Sequence, residues 1–160
     1  MKKVKATIMT FNTPNRNGRV YDSQKMNEAI QEYLLKNPIR LGRIDTGDII
    51  HPVELTEASH IIDELKIEEN KLIGDITILD TPQGNNVQAL MEANVKLAFA
   101  PRMSYEKVVV KDENGNPILN ENGEPKIEIK DIHLESIDII QDNQKAFNEA
   151  KIEENNVISE

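Results

Sequence analysis

The chain has 160 residues, with 28 Asp and Glu against 19 Lys and Arg and a net charge of −9. That balance lacks the basic footprint that phosphate binding needs and argues against nucleic acid as a main partner. The absence of cysteine excludes disulfides, zinc–thiolate sites and cysteine nucleophiles. No apolar run approaches the roughly 20 residues of a membrane-spanning helix. The start, MKKVKATIMTF, has no long apolar segment behind its lysines and reads as a strand, not a targeting peptide. The length fits one domain, and with so few aromatics its core must come from Ile, Leu, Val, Met and Ala.

Taken in order, Val4, Ala6, Ile8 and Thr10 alternate with Lys5, Thr7, Met9 and Phe11 in a first strand. The loop NTPNRNGR follows. Asp22 or Ser23 then caps an amphipathic helix to Lys36, with Met26, Ala29, Ile30, Tyr33 and Leu34 at helical spacing and Asn37-Pro38 as its stop. Residues 39–52 carry Gly42, Gly47 and Pro52 and predict a short strand-like piece plus an exposed loop. His60–Glu68 and Lys71–Leu79 flank Glu69-Asn70 as a hairpin. After the breaker Asp80-Thr81-Pro82-Gln83-Gly84, Val87, Leu90 and Met91 predict a second helix over Asn86–Ala93, ended by Asn94. Val95–Ala100 and Tyr105–Lys111 read as two further strands. ENGNP at Glu113 and ENGEP at Glu121 form a near-repeat, read as the tip of a long acidic hairpin and not as a structural repeat. Lys126–Lys130 returns as partner, and Ile132–Ile140 is one more buried strand with a candidate break at Ser136. Ala146, Phe147, Ala150 and Ile152 hint at a short helix, and residues 153–160 are expected to be mobile. The sum is an α+β fold: an antiparallel, barrel-like sheet of about seven strands with flanking helices. The domain spans 1–142, with 143–160 a C-terminal tail, helical or extended.

Residue types alone reveal no chemistry. His51, His60 and His133 show no metal-ligand spacing, and neither metal nor cofactor is expected. For His60 a half-buried, hydrogen-bonded structural role is the plain reading. There is no G-x-S-x-G, and Ser59, Ser104 and Ser136 are ordinary in local context.

The order of segments carries more. NRNGRVY (15–21), LGRID (41–45), VELTEASHII (53–62), KLIGDITILDTPQG (71–84), LAFAPR (97–102) and IDII (137–140) together resemble the prohead (capsid maturation) proteases of tailed bacteriophages, related in fold to the herpesvirus assemblins. The resemblance covers about residues 4–142 and implies a β-barrel with flanking helices that cuts scaffold and capsid precursors inside the assembling shell. The family serine ends a strand in a G-[IV]-S-[SP]-R pattern, and its histidine sits in a G-E-L-x-H-P-like loop. Carried over, LAFAPR puts Ala100 at the nucleophile position and Arg102 at the family arginine. LGRIDT matches Gly42, replaces the acid by Arg43 and puts Thr46 at the histidine position. His60 stands where relatives also have a histidine, a vestigial third member. A methyl group supplies neither nucleophile nor proton. The resemblance thus implies a virion protein, an auxiliary, decoration or scaffold component on a degenerate protease fold. Its partner would be the major capsid or scaffold protein, with room for a homo-oligomer, and it would assemble in the host cytoplasm. The alternative is an active serine endopeptidase of prohead maturation that uses His51 and Ser104.

Overall fold

In the computed structural model, which describes residues 1–47, 50–153 and 158–159, β1 (Lys2–Thr10) leads into α1 (Ser23–Lys36). The Asp22 side chain accepts the Lys25 amide hydrogen and caps α1, and Asn37 closes it by bonding back to Tyr33. The short β2 (Leu41–Arg43) is followed by a 3₁₀ turn at Leu55–Glu57 and then by β3 (Ala58–Glu68) and β4 (Lys71–Ile78). Glu69 and Asn70, both at positive φ, form the expected two-residue hairpin turn. Next come α2 (Pro82–Glu92), β5 (Leu97–Val109) and β6 (Ile127–Gln141), then a 3₁₀ turn at Asp142–Gln144, β7 (Lys151–Ile152) and β8 (Ile158–Ser159).

The strands pair in two sheets, where sequence reasoning expected one barrel-like sheet. One runs β2-β3-β4-β1-β7, with β8 also on β1; the other is the β5-β6 hairpin. A parallel bridge from Ile44 to Ile139, with the Asp45 amide donating to the Ile139 carbonyl, joins them beyond the end of β2. No closed ring of paired strands exists among the described residues. The reason is local, because three-residue β2 is too short to extend a ladder along β6.

Other elements also depart from the pattern reading. Val95–Ala100 and Tyr105–Lys111 merge into the single strand β5, through Pro101. Proline is tolerated because, among the described residues, β5 pairs only with β6 and leaves its other edge unpaired. Lys126–Lys130 and Ile132–Ile140 likewise merge into β6, which runs on through Ser136 but shifts register against β5 twice, between Ser136 and Leu134 and again around Asp131, whose φ is 51°. α2 starts four residues before the periodic apolar face, at Pro82, because Thr81 caps it and proline suits the first turn. Its start packs so closely that a Cβ on Gly84 would lie 2.0 Å from the Leu79 carbonyl oxygen.

The near-repeat is a structural repeat after all. Asp112 and Asn120 each accept two amide hydrogens through Oδ1, from residues two and four further on. Gly115 and Gly123 take positive φ and donate to the carbonyls three residues back. Asn15, Asn17 and Gly18 make a third copy of the same turn. In place of the short helix suggested after residue 145, the chain turns and pairs as β7, with Phe147 and Ala150 buried in the core. The expectation of a mobile end at 153–160 lies mostly outside the described residues.

The core lies between the sheets and α1, around Ile8, Phe11, Met26, Ile62, Ile76, Phe99 and Ile137. His60 is part of it and is fully buried, not half-buried. Its Nε2 lies 2.7 Å from the Ile137 carbonyl, which can only accept, so the proton is on Nε2 and Nδ1 accepts from Ser59 Oγ at 2.7 Å. The ring edge meets Phe99 at 5.1 Å, and a Cβ on Gly42 would lie 2.0 Å from Nε2. One imidazole thus clamps β2, β3, β5 and β6 together. Burial pulls its pKa down from 6.5 to about 4. The folded state therefore binds fewer protons than the unfolded chain between these values, and stability present above pH 6.5 is lost as pH falls to 4. We expect His60 to account for about 3 kcal/mol of acid destabilisation over that window. Urea unfolding of the wild type and of His60→Asn at both ends of the window measures it; equal pH slopes in the two proteins would refute it.

Candidate active site

The site is built on the β5–β6 hairpin, where Ala100 pairs with Asp138 and Arg102 with Ser136. Directly opposed residues share a face, and so do residues two apart, so these four side chains lie together on one side of the ribbon. Asp138 is fully buried, and Arg43, delivered by the end of β2, meets it with Nε 3.4 Å from Oδ2. Burial pushes the Asp138 carboxyl above its usual range, and the nearby Asp45 adds to this; Ser136 and the Arg43 guanidinium pull it back.

Arg43 also holds the loop that precedes β3. Its Nη1 lies 3.6 Å from Glu57 Oε1 and passes His51 Nδ1 at 3.5 Å, a contact and not a hydrogen bond because that nitrogen donates elsewhere. Glu57 is fixed by a reciprocal capping box with Glu54. His51 Nδ1 lies 2.9 Å from the Pro52 carbonyl, which must accept, so Nδ1 carries the proton and Nε2 is the ring's basic nitrogen. Arg102 pairs with Asp45 at 3.4 Å. An open cleft of about 340 Å³ runs beside these residues, lined among others by Asp45, Ile50, Ala100, Arg102, Tyr105 and Phe147. Arg19, from the first of the three repeated turns, bonds to the Tyr105 hydroxyl and lies over its ring at 5.4 Å.

A family profile described as prohead core protein serine protease matches residues 3–147. The chain belongs to that family. Among solved structures it is similar to the bacteriophage T4 capsid assembly protease, gp21, at 15% identity. The match has a TM-score of 0.62 and covers 86% of this chain and 79% of that one. At this identity the likeness speaks for the fold. No curated protein matches the chain.

Within this prohead-protease fold, Ala100 and Arg102 face the cleft, whereas Thr46 is exposed on the connection after β2. His60 is locked in the core, away from solvent. His51 stands with Arg43 and Glu57, while Ser104 is exposed, donates to Glu135 at 3.4 Å and opposes His133. No hydrogen bond joins His51 to Ser104 among the described residues. His133 in turn contacts Glu32 of α1 at 2.9 Å.

Sequence reasoning missed Asp138 and the buried role of Arg43: both lie in quoted segments, IDII and LGRID, but nothing local says that the two side chains meet. It also anchored the histidine loop on Gly42. Gly47-Asp48-Ile49-Ile50-His51-Pro52 carries the glycine, the acid and the His-Pro at the family's spacing. Asp48 and Ile49 lie outside the described residues, but Ile50 lines the Ala100 cleft and His51 contacts Arg43.

Proposed function

We propose that this protein is a capsid-associated structural component, an auxiliary, decoration or scaffold-linked protein, on a prohead-protease fold that has lost its nucleophile. The observation that carries the reading is the methyl side chain of Ala100, which lines the cleft beside Arg102 and Asp45 and pairs across the ribbon with buried Asp138. Acyl transfer needs a hydroxyl or thiol within reach of a base, and no such group is placed beside His51 among the described residues. A cleft of this kind holds a peptide without forming an acyl-enzyme. Its partners would be the major capsid or scaffold protein, and its location the assembling capsid. The exposed arm between β5 and β6, with its two rigid turns, suits contact with such a partner.

The reading is tested by incubating purified protein with capsid and scaffold precursors. No cleavage is expected over a day, and the protein is expected at stoichiometric copy number in mature particles. Precursor cleavage that Ser104→Ala or His51→Ala abolishes would replace this reading with that of an active endopeptidase.

A further inference from the structure

A second cavity, of about 290 Å³, lies between α1, the start of β2, the Pro52-Val53 segment and β6. Its walls include two buried donors without acceptors. The Tyr33 hydroxyl makes no hydrogen bond although Tyr33 is only 2% exposed, and the Arg40 Nε is buried without a partner. Such orphaned groups are rare in folded proteins, because each forfeits its hydration without replacement. Leu41, Val53 and Leu134 supply apolar wall, and Ile39 stands at the rim 70% exposed. Leu35 and Leu55, one and two residues from the wall positions Lys36 and Val53, are each 83% exposed. Two acids also line the cavity. Glu32 is occupied by Lys36 at 2.8 Å and His133 at 2.9 Å, whereas Glu135 lies on the solvent-exposed side of β6 and contacts Ser104.

We propose that this cavity captures the C-terminal residue of a partner polypeptide, its α-carboxylate meeting Tyr33 and Arg40 and its apolar side chain filling the wall. The donors call for an oxygen acceptor, and the positive Arg40 favours a charged one. The volume holds about one residue, and only a chain terminus puts a carboxylate and an apolar side chain on the same Cα. Carboxylate capture by fixed donors is an established mode of peptide recognition. The inference does not depend on whether the Ala100 cleft cuts, since it uses none of that cleft's side chains.

The test is an NMR titration of the full chain with an N-acetylated pentapeptide ending in Ala-Leu, as free acid and as C-terminal amide. The free acid is expected to bind at least 10-fold more tightly, with shifts at Tyr33, Arg40 and Leu134. Tyr33→Phe and Arg40→Gln should each weaken it about 5-fold or more; the melting temperature of Tyr33→Phe stays near the wild type because its hydroxyl has no protein partner among the described residues, whereas Arg40→Gln also gives up the long, exposed Nη1 bond to the Asp63 carbonyl. Equal affinity for acid and amide, or no binding of either at millimolar peptide, would overturn the proposal. So would shifts confined to Ala100, Arg102 and Tyr105, which would assign the peptide to the other cleft. Unchanged acid affinity in both variants would overturn it as well.

Discussion

Ala100→Ser is expected to give this protein new reactivity towards a fluorophosphonate serine probe. Ala100 is only half-buried and faces the cleft, so a hydroxyl fits without displacing the core. His51 carries its proton on Nδ1 against the Pro52 carbonyl, so its Nε2 is able to accept one from a hydroxyl brought within reach. Arg43, anchored on buried Asp138, holds the loop that carries this ring through Glu57. A positioned general base contributes about 100- to 10,000-fold to such a step. Labelling of the serine variant should therefore exceed that of the wild type by at least ~100-fold and vanish again in Ala100→Ser/His51→Ala. A folded serine variant that labels no faster than the wild type would mean that the site has lost more than its hydroxyl. Labelling that survives loss of His51 would move the base elsewhere.

Arg43→Met is expected to destabilise the fold by about 3–5 kcal/mol, the usual consequence of leaving one member of a buried ion pair behind. Arg43 and Asp138 have side chains 3% and 0% exposed, so water cannot take over from either. The Asp138 carboxyl, already raised by burial, loses the guanidinium that pulls it back. With the folded pKa raised further above the unfolded one, the variant binds more protons folded than unfolded, so this contribution to stability is greatest at acid pH and is lost as pH rises. Urea unfolding at several pH values measures both effects. Adding Asp138→Leu should restore most of the loss, because no charge is then left buried. A loss below 1 kcal/mol for Arg43→Met, or no recovery in the double variant, would show that the pair is not what holds the loop.

Much of this architecture is visible in short-range chemistry. Asp22, the apolar stripe through Tyr33 and Asn37-Pro38 define α1, because capping and 3.6-residue periodicity are local properties. Glu69-Asn70 defines the hairpin for the same reason, and Asn94 takes the left-handed conformation expected after α2. The segment order from NRNGRVY to IDII places the chain among prohead proteases, and the family profile agrees. The alanine at position 100 is likewise plain in the sequence.

Tertiary structure decided the rest, because it concerns residues far apart in the chain. Whether two apolar runs are one strand or two depends on the partner: β5 continues through Pro101 because β6 lies along it and no other strand among the described residues pairs with its other edge. Asp138 became a site residue only when pairing set it opposite Ala100, and Arg43 only when β2 carried it from 95 positions away in sequence, 138 against 43. The histidine loop shows the same limit: spacing allowed an anchor at either Gly42 or Gly47, and only packing shows that His51 lies beside Arg43. His60 moved the opposite way, from vestigial catalyst to buried clamp, because its donor and acceptor are claimed by Ile137 and Ser59. The sequence alone determined that LAFAPR, at the start of β5, carries no hydroxyl or thiol, since that depends only on which atoms a side chain carries. That Asp138, Ser136 and Arg102 share a face with Ala100 depended on strand pairing, and no local pattern encodes it.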